Sequence, residues 1–165
     1  MVEGLADELI TGKTPIPLAL KMRRFAFSVI ASTVLGVDGA DLDELFFDFE
    51  IWTKALFSIP ITLPGSPFSK ALKARKRLLE KLQHVLAQPV KGRGGLDLLA
   101  GGLDEAGIPL TDEDLLEQLL LLLFAGYETT ASALSCLMRE LLLNPSVEIW
   151  LREEIDSLCW PQRLS

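Results

Sequence analysis

The distribution of apolar and polar positions divides this chain into helices of unequal length. The longest pattern runs from Leu110 to Leu143, LTDEDLLEQLLLLLFAGYETTASALSCLMRELLL, and its middle, Leu119 to Tyr127, is wholly apolar. It predicts one long helix over about 111–143. Thr111 and Asp114 have the spacing of a capping box, and Leu110 and Leu115 stand where a hydrophobic staple needs them. The other elements are shorter. Leu18, Met22, Phe25, Phe27, Val29, Ile30 and Val34 predict a mostly buried helix, entered after Pro17 and ended by Gly36. Its basic cluster, Lys21, Arg23 and Arg24, belongs at an exposed edge or against a partner.

Asp41 and Glu44 have capping-box spacing and predict the start of a second helix, on which Phe46, Phe49, Trp52 and Leu56 recur at helical intervals. These aromatics read either as core packing or as a wall against an apolar ligand. From Ser58 to Ser69, prolines and a glycine stop regular helix, yet Ile59, Ile61, Leu63 and Phe68 are apolar. Helix resumes over Lys70 to Leu86. Leu72, Arg75, Leu79, Leu82 and Leu86 form its stripe, and Lys73, Lys76, Arg77 and Lys81 lie around the rest. Between Pro89 and Pro109, Gly92 to Gly95 and Gly101 to Pro109 read as loops and Leu96 to Leu99 as a helical turn. The glycines form no phosphate-binding pattern. Asn144-Pro145 breaks the long helix and starts a last one, to about Leu158. No stretch alternates and then turns as a hairpin does, so the expected fold class is all-α.

Composition narrows the function. Of 165 residues, 49% are hydrophobic and 24% charged, which excludes a disordered chain and suits one domain. The net charge of -7 argues against nucleic acid, whose non-specific binding needs Lys and Arg to neutralise phosphates. Met1 is followed by VEGLADELI, with neither the basic start nor the apolar core of a secretory signal. The uninterrupted apolar run is too short to span a bilayer. A cytoplasmic location is the expectation, with peripheral membrane contact through the apolar loop and the basic helix after it as an added option. Cys136, Cys159 and His84 have no metal-ligand spacing, so no metal ligand is assigned.

Candidate chemistry is concentrated in the long helix. On a helix, Leu122, Ala125, Gly126, Thr129 and Ala133 share a stripe, and four of the five are small. Glycine inside a helix costs about 1 kcal/mol against alanine. The stripe admits something bulky, either another helix or a planar cofactor. Glu128 follows the apolar run, and a carboxylate there needs hydrogen bonds or a counter-charge. An acid beside the hydroxyl of Thr129 is equipment for moving protons into a dry site. The competing reading is a helix crossing at Ala125 and Gly126 with Glu128 reaching solvent.

The six residues Ala125-Gly126-Tyr127-Glu128-Thr129-Thr130 resemble the cytochrome P450 motif [Ala/Gly]-Gly-x-[Asp/Glu]-Thr-[Thr/Ser] without a departure. The leucine run before them and the Asn-Pro after them occur in the family's order. The stretch FSIPITLPGSPFSKALKAR is similar to the retinoic-acid-hydroxylating branch and its cyanobacterial relatives. The resemblance implies that residues 1–165 are the central helical portion of a P450 fold, incomplete at both ends. Within it, Leu42 to Phe57 would roof a substrate pocket and Ile59 to Ser69 would be the loop at its mouth.

It also implies haem as cofactor. Ala125 and Gly126 would lie on its distal face. Thr129 would hold the water or oxygen ligand that is protonated as the dioxygen bond breaks, and Glu128 would gate proton supply. Phe49, Trp52, Phe57, Leu121, Leu122 and Tyr127 would border substrate or haem. The implied function is iron-dependent hydroxylation of an apolar, retinoid-like substrate, with an electron-donating redox protein as partner. The family's Glu-x-x-Arg helix and glycine-rich cysteine loop are not in this sequence. Neither Cys136 nor Cys159 sits in such a loop, and the axial ligand is carried to neither. The expectation is that this chain alone is inactive. The alternatives are a non-enzymatic helical module that binds a ligand or partner, or a remnant without function.

Overall fold

The computed structural model describes residues 17–56, 58–87, 99, 101–103 and 105–158. Among the described residues five helices follow in order: α1, Leu18–Ile30, which continues as a π-helical turn, Ala31–Leu35; α2, Gly39–Lys54; α3, Pro67–Ala87; α4, Asp112–Leu143; and α5, Pro145–Ser157. The only strand-like feature among the described residues is an isolated bridge between Leu103 and Pro109. The fold is all-α, as the sequence predicts. Residues Ala26–Tyr127 form one compact unit. Residues up to Phe25 together with those from Glu128 onward form another.

The Ala26–Tyr127 unit has a single apolar core. Phe27, Ala31 and Leu35 from α1 meet Leu45 and Phe49 from α2, Leu78 and Leu82 from α3, and Leu119, Leu120, Leu123 and Tyr127 from α4. The π-turn coincides with two hydroxyls that turn back on the helix. Ser32 Oγ donates to the carbonyl of Ser28 at 2.8 Å and Thr33 Oγ1 to that of Val29 at 2.7 Å. Such back-bonding competes with the helical ladder and loosens it. Gly36 ends the helix at φ 66°, a left-handed cap that glycine adopts without steric cost.

Four local expectations are corrected. First, α2 begins at Gly39, before Asp41. Asp38 occupies the N-cap position and its side chain makes no capping bond, so the Asp41–Glu44 box does not set the start. Second, α3 begins at Pro67, before Lys70, because Ser66 Oγ accepts from the Ser69 amide at 3.1 Å and proline fits the first helical position. Third, the face of α3 turned inward is Ala71, Ala74, Leu78 and Leu82, whereas Leu72 is 48% exposed. The alanines let α3 pack closely, and a leucine count overlooks them. Fourth, Leu56 lies beyond α2 and is exposed. Phe57, Gly92 to Gly95 and residues 96–98 lie outside the described residues.

The start of α4 is as predicted. The Thr111 hydroxyl and amide donate to Asp114 Oδ2 at 2.6 and 3.1 Å, and the Asp114 amide donates back to Thr111 Oγ1 at 3.2 Å. The Thr111 hydroxyl first, and then its amide, hold the Asp114 carboxyl below its ordinary pKa. Thr111→Ala is expected to cost about 1 kcal/mol, read as a lower thermal midpoint. The loss should be larger at neutral pH than in acid, where a protonated Asp114 no longer accepts as well. As a whole helix, α4 is long and apolar enough to cross a membrane, which a core helix also achieves. The uninterrupted apolar run, Leu119 to Tyr127, is only part of that length.

In the other unit, Met22 and Ala131 are buried, while α5 buries no residue. Asn144 stands at the N-cap of α5 without a capping bond. Its side-chain amide donates instead to the carbonyl of Glu140 at 2.9 Å, so it closes the helix behind it.

Candidate active-site helix

The motif AGYETT sits in the interior of α4, where the Ala26–Tyr127 unit ends and the next begins. Helical geometry gives its residues different directions. Within the first unit, Leu119, Leu123 and Tyr127 point into the core with at most 1% exposure. Leu121 is 58% and Leu122 37% exposed, and Ala125 is exposed. Gly126 faces α1: a Cβ there would run into Cδ1 of Ile30. The helix crossing that sequence left open therefore occurs at Gly126, while Ala125 looks outward. The small-residue stripe thus serves two directions.

From Glu128 onward, Thr129, Thr130 and Ala133 are exposed. Glu128 is half-buried and accepts from Arg23 Nη2 at 3.3 Å. That pair gives Arg23 of the basic cluster a partner. Both side chains keep about 40% of their surface, so the pair contributes at most about 1 kcal/mol and its carboxylate stays within reach of water.

The remaining expected residues come from α2. Phe49 is fully buried and Trp52 half-buried. Trp52 stacks edge-on against Phe49 and Phe124, with centroids at 5.5 and 6.0 Å. Phe49 and Tyr127 meet at 5.2 Å. These two are enclosed in the core, whereas Leu121 and Leu122 present open apolar surface. Phe57 lies outside the described residues.

Two acids were missed by sequence reasoning. Asp48 and Glu50 are 3% and 7% exposed, although neighbouring Phe47 is 65% exposed. Asp48 accepts from Arg77 Nε at 2.9 Å and from Lys81 Nζ at 3.2 Å. Burial pushes its carboxyl up, but the bonds and charges of Arg77 and Lys81 outweigh burial and hold it below its ordinary pKa. Glu50 accepts from the Tyr127 hydroxyl and pairs with Lys54 Nζ at 2.6 Å. The signal for both lies in the basic residues of α3 and the tyrosine of α4, far away in sequence. A separate cleft of about 550 Å³, bounded by Leu35, Val37, Asp41, Leu45, Lys81 and Val85, shares no residue with the motif.

Haem is the cofactor of the family that the motif resembles. The residues such a macrocycle would lie against, Ala125 with Leu121 and Leu122 beside it, are exposed, and no large side chain of the motif stands at 125 to block it. Among the described residues no three His, Cys, Asp or Glu side chains gather as a metal chelate. Haem iron in this family takes a single protein thiolate, so a chelate is not what the distal side needs.

The family profile of cytochrome P450 matches residues 7–164, and the chain belongs to the cytochrome P450 family. Among its relatives is the putative cytochrome P450 120 of Synechocystis sp., 35% identical over 149 residues, which cover 88% of this chain and 34% of that protein. Beta-amyrin 11-oxidase of Glycyrrhiza uralensis is 32% identical over 164 residues, 92% of this chain and 33% of that protein. Cytochrome P450 26B1 of Xenopus tropicalis is 33% identical over 141 residues, 81% and 28% respectively. The solved structure of retinoic acid-bound cyanobacterial CYP120A1 superposes with a TM-score of 0.80 at 31% identity, covering 98% of this chain and 39% of that one. The chain spans about a third of the length of these curated relatives.

Proposed function

We propose that this chain supplies the oxygen-handling helix and part of the substrate wall of a haem-thiolate monooxygenase acting on an apolar carboxylic acid of the retinoid type. The observation that carries the reading is the outward placement of Ala125 and Thr129 within an unbroken family motif. The likeness to a retinoic acid-bound relative supports the substrate class. Haem, when bound, supplies the activation of dioxygen, with electrons from a redox protein; one oxygen atom enters a C–H bond and the other leaves as water.

The protein residues handle position and protons. Ala125 and Gly126 leave room for the macrocycle, Ala125 by its small outward side chain and Gly126 by letting the helix settle on Ile30. Leu121 and Leu122 present the apolar surface to the substrate, and Trp52, with Phe49 and Tyr127 enclosed behind it, backs that wall and excludes water. Thr129 presents a hydroxyl that donates and accepts at the distal side. Glu128, tethered by Arg23 and open to water, exchanges protons with solvent.

A chimera tests this reading. Residues 18–157 replace the matching stretch of the cyanobacterial relative, which supplies the rest of the fold. The expected result is a reduced carbon monoxide complex of thiolate type and saturable binding of retinoic acid. Thr129→Ala in that chimera is expected to lower product formed per electron pair by about a hundredfold, the low end of what one proton-delivery group contributes. A chimera that folds and binds haem but excludes retinoic acid overturns the substrate class. A titration of the unmodified chain with haem is expected to give a weak, non-saturating spectrum. A one-to-one complex with a thiolate band would instead assign the ligand to Cys136 or Cys159.

A second contact is favoured by exposure. Ile59, Ile61 and Leu63 are 75%, 48% and 63% exposed, and the basic helix α3 follows them. We infer peripheral contact with an anionic bilayer at this loop. The chain is expected to float with liposomes containing phosphatidylserine, and Ile59→Asp with Leu63→Asp to remain at the bottom of the gradient. Equal flotation of both proteins would remove the loop from the contact.

A further inference from the structure

We propose that the buried carboxylate of Glu50 is a positioning residue for the motif face of α4, acting through Tyr127; the inference rests on the functional reading above. Glu50 is 7% exposed and Tyr127 1%. The Tyr127 hydroxyl donates to Glu50 Oε1, and Lys54 holds Oε2 at 2.6 Å. Phe49, Phe27 and Phe46 meet the tyrosine ring edge-on, with centroids at 5.2, 6.2 and 6.4 Å. The polar contact therefore lies inside an aromatic cluster that excludes water.

Apolar contacts are non-directional, so an aromatic cluster alone tolerates rotation of a helix about its axis. A hydrogen bond fixes distance and direction together. Tyr127 lies two residues after Ala125 and two before Thr129, so both project about 200° around the helix from it. Whatever fixes the direction of Tyr127 also sets the direction of Ala125. Gly126 adds the second constraint. The close approach to Ile30 fixes how deep α4 sits on α1, and the Glu50 bond fixes its rotation there.

The choice of residues supports this role over bulk stability. Phenylalanine at 127 with an apolar residue at 50 would fill the same space without burying a carboxylate. Such replacements are often neutral or stabilising. The best-attested use of a buried polar contact is to select one register. Neither side chain is placed at the reacting atoms.

The test measures rotation without haem. In a Cys136→Ser, Cys159→Ser background, single cysteines are placed at the outward position (Ala125→Cys) or the inward one (Leu123→Cys), and maleimide labelling rates are compared. The native latch should give fast labelling at 125 and slow labelling at 123. With Glu50→Met and Tyr127→Phe combined, the 125:123 rate ratio is expected to fall about tenfold, the factor carried by one hydrogen bond to a charged acceptor, with the thermal midpoint maintained. Tyr127→Phe alone should lower the ratio, and Glu50→Gln, which keeps an acceptor, should retain it. These single variants decide the matter if the double variant fails to fold. A ratio within about twofold of native in Tyr127→Phe, or a ratio that falls only in step with the thermal midpoint, overturns the proposal. Loss of the monooxygenase reading would show in the chimera and leave this ratio unchanged.

Discussion

Replacing Arg77 and Lys81 together by alanine is expected to destabilise the Ala26–Tyr127 unit by about 3 kcal/mol, read from the urea midpoint. The cause is the carboxylate left behind. Asp48 is 3% exposed, and among the described residues its cationic partners are these two side chains. Removing both partners of a buried charge costs about 3–5 kcal/mol, and the low end applies because the loss of two long side chains admits water. The intact cluster contributes less than that loss. Arg77 and Lys81 keep 47% and 32% of their surface, so solvent screens them. Asp48→Asn should accordingly cost only about 1 kcal/mol, since Arg77 then turns to water and Lys81 keeps Glu44 at 3.2 Å.

Acid titration separates the two variants further. The folded-state pKa of Asp48 is lowered, so its contribution is present above the unfolded value of about 3.9 and is lost as pH falls through the folded value. Wild-type stability should therefore decline below about pH 4. Without Arg77 and Lys81, burial acts alone and raises the pKa. The sign then reverses: stability should be flat above that raised value and rise as pH falls from it toward the unfolded value of about 3.9. Parallel curves for the two proteins would show that Asp48 is not the titrating group.

The same cluster explains where sequence reasoning stopped. The helix over 112–143 was legible because its signals are local: a reciprocal Thr111–Asp114 cap, an unbroken leucine run, and Asn144-Pro145 at the end. The motif was legible as a motif. Which way each of its residues points was not, because Gly126 meets Ile30, a residue far away in chain order that periodicity does not join to it. In α2, hydrophobicity misleads: Phe47 faces out and Asp48 and Glu50 face in. That inversion is stable only because Arg77, Lys81 and Tyr127 arrive from other helices. The start of α3 was missed for a different reason. Three prolines read as a loop, yet the last of them follows Ser66 and occupies the position where proline favours a helix.

Phe27→Ala is expected to cost about 3–5 kcal/mol, enough to unfold much of a unit of ordinary stability. Phe27 is fully buried, and its ring meets Phe49 at 4.9 Å, Phe46 at 5.3 Å and Tyr127 at 6.2 Å. Truncation removes the transfer energy of the ring and leaves a cavity that neighbours on α2 and α4 cannot all move to fill. It also removes one wall of the site that encloses the Glu50–Tyr127 bond. Water entering there would offer both groups a new partner, so the resonance of the single tyrosine should broaden or shift even where folding is restored by an osmolyte. Leu72→Ala is the contrasting measurement. Sequence placed Leu72 on the buried stripe of α3, but it is 48% exposed, and its removal is expected to change stability by less than about 0.5 kcal/mol. A large loss at Leu72 with a small one at Phe27 would require α3 to present a different face to the core from the one in which Ala71, Ala74, Leu78 and Leu82 are buried.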